Sequence, residues 1–450
     1  MYKNGLTYFT SAVFVLIAHT AMLLNVFVNG NYENQNDVLI LSGAVLLMDL
    51  IYFIVMLFYK QMTYTIDFLL IFILNMSLIF QSCFGGVHLS AKHLLTCIAA
   101  LIACRVGYLL CRSHKWIQEK KKYFYIIIGV LIICILTLTG SRSIWIQIGS
   151  FSLQPSEFIK PLLVLACSTS IMEQQRKHKI LCFNVVYENL ALTGLIILIC
   201  GLQWWCRDLG SLPTFVGIYV CGLFFRICYP KAKFSKKTIV LGAVVLVALA
   251  LVAVKYAPGY VQDRLFVNIW TDKDGNGYQQ CQALIAIADG GWFGKGPGQG
   301  ELCNVFAHET DIVFSSVCEE WGLLYAIMMI FAILLMLAVP LINPPRSYFH
   351  STMSACICAA FTVQMALNIF GSCNLIPFTG VTIPFISQGG SSMVTSGFMI
   401  GMLSSGQSPV FKRPKGQALK NSPVKKNTDS KKTAPAGKKP VNKKARGAGK

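Results

Sequence analysis

The chain has 450 residues, 55% of them hydrophobic and 13% charged, with a mean hydropathy of +0.58. These values exclude a soluble globular enzyme and point to an all-α polytopic membrane protein. The net charge of +20 suggests a polyanion partner until it is located: residues 411–450 hold 14 Lys and Arg against one acid, Asp429, so nucleic acid is not an expected partner. The 17 cysteines lie mostly in apolar runs without paired ligand spacing, and read as small buried hydrophobes rather than metal ligands or disulfides.

Apolar runs of bilayer-crossing length, roughly 20 residues each, fall near 8–29, 39–59, 66–83, 89–111, 123–139, 157–172, 187–205, 209–227, 238–255, 312–339, 351–372 and 382–405. That predicts about 12 transmembrane helices, the first a retained span because no basic region with a cleavable small-residue site precedes it. The connecting loops alternate in charge. Arg112, Lys115, Lys120, Lys121 and Lys122 fall in one loop and Arg176, Lys177 and Lys179 in the next of the same side. Lys231, Lys233, Lys236 and Lys237, then Arg346, follow on that side, with Lys3, Lys60 and the basic tail. The intervening loops are poor in Lys and Arg, so both termini are expected in the cytoplasm and the long 256–311 loop outside. Three parts follow: an N-terminal helix pair at 1–63, a transmembrane core at 64–410, and a basic, low-complexity tail at 411–450 read as disordered.

Polar constellations interrupt this apolar pattern. Gln154-Pro-Ser-Glu-Phe-Ile-Lys160 opens the sixth span, with Glu157 and Lys160 three apart on one helix face, the spacing of an intramembrane ion pair. Arg207-Asp208-Leu-Gly-Ser211 is a second charged pair at membrane depth. Lys92, Arg142, Arg264 and Lys295 are further bases on the predicted outer side, a basic surround suited to a lipid diphosphate. The stretch from Tyr278 to Gly322 is glycine-rich and acid-bearing, poor material for a lipid-facing helix, and reads as an elaborated loop dipping back toward the bilayer at Asp311. Asp311 fits either an N-cap of the tenth span or a catalytic carboxylate. Neighbouring His308 and Glu309 modulate it, and Ser315 and Glu319 continue a polar stripe into the helix. A third constellation, Thr379 to Ser392, places Pro384 and paired glycines at the mouth of the last span, with Ser391 among its polar lining.

In chain order, QPSEFIK at 154–160, RDLGS at 207–211, YQQCQALIAIADGGWFGKGPGQG at 278–300, ETDIVFSSVCEEWG at 309–322 and IPFTGVTIPFISQGGSS at 376–392 resemble the motifs of the SEDS family (FtsW/RodA/SpoVE). The resemblance covers roughly residues 66–405, a ten-helix core, leaving the first two helices as an addition. It implies peptidoglycan glycan-strand polymerisation from lipid II, with Asp311 at the position of the family's motif acid. It also implies a nascent glycan strand as second substrate, a class B penicillin-binding transpeptidase partner, contacts to division or elongation proteins, and residence in the bacterial cytoplasmic membrane. The chain departs from the family at Glu309, where His is common, at Arg207 in place of Pro, and at Gln388 in place of Tyr. A Glu at 309 would raise the neighbouring carboxylate's pKa or, with Asp311, help hold magnesium or another divalent cation; no organic cofactor is expected. A lipid II transporter and a non-catalytic scaffold are the rival readings.

Overall fold

Hydropathy and backbone satisfaction dictate the architecture: in lipid each span closes its own hydrogen bonds, which leaves the helix as the only economical form for an isolated apolar run. The computed structural model describes residues 5–58, 64–138, 145–148, 151–171, 177–180, 183–228, 259, 269–272, 275, 277–345 and 347–407. Twelve α-helices lie among them: α1 (Gly5–Asn29), α2 (Gln35–Phe58), α3 (Thr65–Gln81), α4 (Ala91–Cys111), α5 (His114–Leu138), α6 (Pro155–Ile171), α7 (Tyr187–Trp205), α8 (Leu212–Cys228), α9 (Tyr278–Gly290), α10 (Val313–Ile342), α11 (Tyr348–Ser372) and α12 (Gly390–Ser405). Two short antiparallel hairpins also lie among them, β1 (Ile146–Ile148) with β2 (Phe151–Leu153) and β3 (Lys177–Ile180) with β4 (Phe183–Val186), as does a 3-10 turn at Leu302–Asn304. Among the described residues five helices are long and apolar enough to cross a membrane by themselves, and α3, α7 and α8 contain shorter apolar helices, as an integral membrane protein requires.

The expected spans and the observed helices differ in instructive places. The span expected at 238–255 lies outside the described residues, as do Arg142, Arg264, the basic loop at 231–237, Arg346 and the tail. α5 begins at His114, nine residues before the expected start at 123, because Lys, Glu and Gln are good helix formers that a hydropathy window rejects. The last helix begins at Gly390 and not at 382. Pro384 and the left-handed Phe385 (φ 69°) break the ladder there, and Ser387 Oγ accepts the Ile383 amide at 2.9 Å to close a turn instead. Finally, the expected loop contains a helix, α9, whose Ala283 and Ala286 bury against Leu302, Val305 and Ile312 in a small cluster of their own. Short-period apolar residues in an alanine-rich segment favour a helix, yet 13 residues are too few to register as a span.

Packing between spans relies on close approach. Gly397 and Gly401 of α12, four apart on one face, sit against the backbone carbonyls of Ala100 and Cys104 in α4, where an added Cβ would come within 2.2 and 2.0 Å. The N-terminal helix pair is fastened to the core by buried polar groups. His19 Nδ1 meets Asp49 Oδ2 at 2.7 Å, and Asn75 Nδ2 donates to Asp49 Oδ1 at 2.8 Å, joining α1, α2 and α3. Arg105 of α4 pairs with Asp67 of α3 and reaches Tyr52 of α2. Such groups are costly in hydrocarbon unless paired, so each contact also fixes which helix faces meet. Met1–Val410 forms one compact unit.

Candidate functional site

Asp311 stands in the turn that leads into α10. The amides of Thr310, Asp311 and Ile312 all point at the carbonyl of Ala307, at 3.1, 2.9 and 3.4 Å, and Ala307 itself has φ 60°. The N-cap position of α10 is held by Ile312, whose own side chain makes no cap hydrogen bond, and Asp311 precedes it by one residue. Its carbonyl accepts from Asn368 Nδ2 of α11 at 2.8 Å, and Asn368 also donates to Val381 O at 2.7 Å, so one side chain ties the Asp311 turn to the 376–389 loop.

That loop closes over the acid. Ser387 Oγ donates to Thr310 O at 2.7 Å, the Gln388 amide to Glu309 O at 2.9 Å, and Gln81 Nε2 from the end of α3 to Glu309 O at 3.0 Å. Gly380 adopts φ +65°, and a Cβ there would lie 3.1 Å from Asp311 Oδ2. Only glycine lets this backbone pass so near the carboxylate without a steric and conformational penalty. On its other side the same loop meets the RDLGS motif: Gly210 lies so close to the Thr379 carbonyl that a Cβ would come within 2.4 Å.

The RDLGS motif then leads to the QPSEFIK motif. Asp208 Oδ2 accepts from Ser211 Oγ at 2.6 Å and from Gln154 Nε2 at 3.3 Å, while the Gln154 amide donates to Ser391 Oγ at 3.3 Å. Burial raises the Asp208 carboxyl above its ordinary pKa; the Ser211 hydrogen bonds and Lys160 oppose this, and Glu157 adds to it. Pro155 begins α6, where its missing N–H is harmless, and Glu157 in the first turn favours the helix dipole. Lys160 Nζ meets Glu157 Oε1 at 2.6 Å, both nearly sealed from solvent, and Thr395 Oγ1 of α12 reaches Glu157 Oε2 at 3.4 Å. These two charges therefore pair inside the bundle, beneath Asp208. One connected path runs from Asp311 through Gly380, Gly210, Asp208 and Gln154 to Ser391 and the Glu157–Lys160 pair.

The described loops that build this site store backbone strain. Among the described residues the non-glycine residues with left-handed φ are Arg207, Ala307, Asn374 and Phe385. One lies in the Arg207 turn, one in the Asp311 turn, and one in the 376–389 loop. Each costs on the order of 1–3 kcal/mol, which a fold tolerates where geometry matters more than stability.

Other residues singled out in the sequence have different surroundings. Glu319 does not extend a stripe from Asp311: it accepts from the Glu301 and Leu302 amides at 3.0 and 2.9 Å and pairs with Lys295 at 3.0 Å. The buried Glu320 accepts from the Gly298 amide at 2.9 Å. Together they anchor the glycine-rich loop 291–301 onto α10, next to the kink at Gly322 (φ 85°). Lys295 also lies 3.3 Å from Asp289; burial alone would lower its pKa, but the two carboxylates outweigh that and raise it. Lys92 is exposed at the start of α4, two residues from Ser90, whose hydroxyl accepts from Gln388 Nε2 at 3.3 Å. His308 Nδ1 lies 3.0 Å from Val305 O, and its Nε2 is 3.8 Å from Glu309 Oε1. Among the described residues no group of three or more His, Cys, Asp or Glu is placed to hold a metal ion.

Sequence reasoning missed Asn368 and Gln81 as parts that close the site, and placed Gln154 and Gly380 in polar constellations without giving them this role. The polarity of Asn368 and Gln81 within apolar spans was the available signal.

The site's motifs coincide with the region shared with known proteins. The family model described as "Cell cycle protein" (FtsW/RodA/SpoVE) matches residues 53–408. Stage V sporulation protein E of Bacillus subtilis (strain 168) is 31% identical over 291 residues, 62% of this chain and 75% of the relative. A probable peptidoglycan glycosyltransferase FtsW of Geobacter metallireducens is 28% identical over 323 residues, 69% of this chain and 81% of the relative. Among solved structures, a chain of a peptidoglycan synthase complex described as coordinating polymerization and crosslinking superposes with a TM-score of 0.59 at 20% identity, covering 77% of this chain and 97% of that one. The rod shape determining protein RodA of Thermus thermophilus gives 0.52 at 19% identity, with the same coverage, and both likenesses speak to the fold.

Proposed function

The chain belongs to the FtsW/RodA/SpoVE family, and on that premise we propose that it is a peptidoglycan glycosyltransferase that polymerises glycan strands from lipid II. The site lies at the end of the helices where α10 and α12 begin, which the charge alternation assigns to the outer face of the bacterial cytoplasmic membrane, with both termini inside. The observation that carries the reading is the placing of Asp311: it stands in the turn ahead of α10, and a glycine at positive φ lies against its carboxylate.

The chemistry follows from one well-placed base. The sugar 4-hydroxyl of one substrate attacks the anomeric carbon of the other. Asp311 takes the hydroxyl proton as the new C–O bond forms, and the bond to the lipid diphosphate breaks with the electron pair leaving on the diphosphate. Configuration inverts, so the paired carboxylates of a hydrolase are not required. Bases on the same side, Lys92 among the described residues, help neutralise the leaving diphosphate. Glu309, beside Asp311, tunes its basicity. A single-pass class B transpeptidase is the expected partner, in keeping with the coupling of polymerization to crosslinking in the structural relative's complex.

Purified protein given labelled lipid II tests the proposal. Glycan ladders support the polymerase; translocation across vesicles without ladders makes the protein a transporter, and neither outcome leaves a scaffold.

A further inference from the structure

Between the outer end of α1 and the glycine-rich loop lies a cavity of about 550 Å³, lined by Asn25, Val28, Asn29, Phe293, Lys295 and Gln299. Its two walls are joined by hydrogen bonds to main-chain carbonyls that bring the N-terminal helix pair onto the glycine-rich loop 291–301. The Asn31 amide donates to Pro297 O at 2.8 Å, Asn31 Nδ2 to Gly298 O at 3.3 Å, and Gln299 Nε2 to Asn29 O at 2.8 Å. The same loop is held to α10, the helix that follows the Asp311 turn, by Glu319 and Glu320.

The chemistry of the walls selects the ligand class. Asn29 Nδ2 donates to Asn25 Oδ1 at 2.7 Å, which leaves Asn25 Nδ2 as a donor and Asn29 Oδ1 and Gln299 Oε1 as acceptors facing one space. Lys295 is the single charged residue of the lining, and two carboxylates already engage it, so an anion gains little there. Phe293 is 83% exposed at the rim, a flat apolar face beside neutral amides. Alternating neutral donors and acceptors with one exposed ring suit a hydroxyl- and amide-bearing pyranose, whose polar edges and apolar face differ in the same way. We propose that this cavity is an accessory saccharide subsite that holds the glycan strand against the glycine-rich loop anchored on α10, an assignment of strand identity that rests on the polymerase reading. The N-terminal helix pair, most of it outside the 53–408 family match, thereby contributes one wall of a binding site.

The test uses full-length protein in lipid nanodiscs and a β-1,4-linked N-acetylglucosamine tetramer as probe, followed by ligand-observed NMR titration. Wild type and Asp311→Asn should bind the tetramer saturably and alike. Asn25→Leu and Phe293→Ala should each weaken binding at least about tenfold, and in the lipid II assay both should shorten the glycan products. Phe293 is exposed, so its truncation keeps the test independent of folding. Absence of saturable binding, equal binding by all four proteins, or displacement of the tetramer by glycerol phosphate as the preferred ligand would each overturn the subsite. Ladders without tetramer binding defeat this inference alone; tetramer binding at this cavity without ladders defeats the polymerase reading alone.

Discussion

Replacing Asp311 by Asn separates the chemical role of this residue from its part in holding the turn. The turn around it is held by backbone groups: its amide donates to Ala307 O and its carbonyl accepts from Asn368, both untouched by the change. Asn caps a helix about as well as Asp, so a contact of this side chain with the first turn of α10 survives the change. Asn has nearly the same size, so Gly380 can still pass beside it. Folding and lipid II binding should therefore remain near normal. The amide cannot accept the hydroxyl proton, and removal of a general base costs on the order of 10²–10⁴ in rate, or about 2.7–5.4 kcal/mol of barrier. The assay is glycan polymerisation by purified protein, with melting temperature and lipid II affinity measured in parallel. Glu309→Gln is the matched control: the carbonyl of Glu309 carries the loop contacts, so its side chain should only modulate the rate. Normal polymerisation by Asp311→Asn would refute the base assignment. If Glu309→Gln were the inactive one, the base would lie two positions earlier.

Three further outcomes are expected. Gly380→Ala places a Cβ at positive φ against the Asp311 carboxylate, costing about 1–2 kcal/mol and lowering polymerisation about tenfold; unchanged kinetics would show that the loop yields freely. Lys160→Met leaves Glu157 buried and unpaired, which should lower stability by about 3–5 kcal/mol, with Lys160→Met/Glu157→Gln recovering most of it; thermal unfolding in detergent decides. Reporter fusions at Lys120 and Lys295 should report opposite faces of the membrane, and a shared face would overturn the orientation read from loop charge.

Much of the molecule was legible from transfer energetics alone. Eleven of the expected spans have helical counterparts among the described residues, because burial of an apolar run in lipid is close to additive along the chain and needs no knowledge of neighbours. The Glu157–Lys160 pair was legible for a related reason: two opposite charges three apart on a helix in hydrocarbon have few other partners. Helix α9 escaped because its stability comes from Leu302, Val305 and Ile312, residues beyond its own length. Glu319 was misaligned for the opposite reason. Its spacing from Asp311 assumed one continuous helix, but α10 starts after the acid, and the glycine-rich loop folds back to take both Glu319 and Glu320. The same limit applies to the site as a whole. Asp311, Gly380, Asp208 and Gln154 are separated by tens to over a hundred residues, and their meeting depends on Asn368 bridging two loops and on glycines allowing backbones to touch. Local sequence specifies the helices and the chemical groups; through-space closure of the loops decides which groups share a site, because that closure is set by packing between elements distant along the chain.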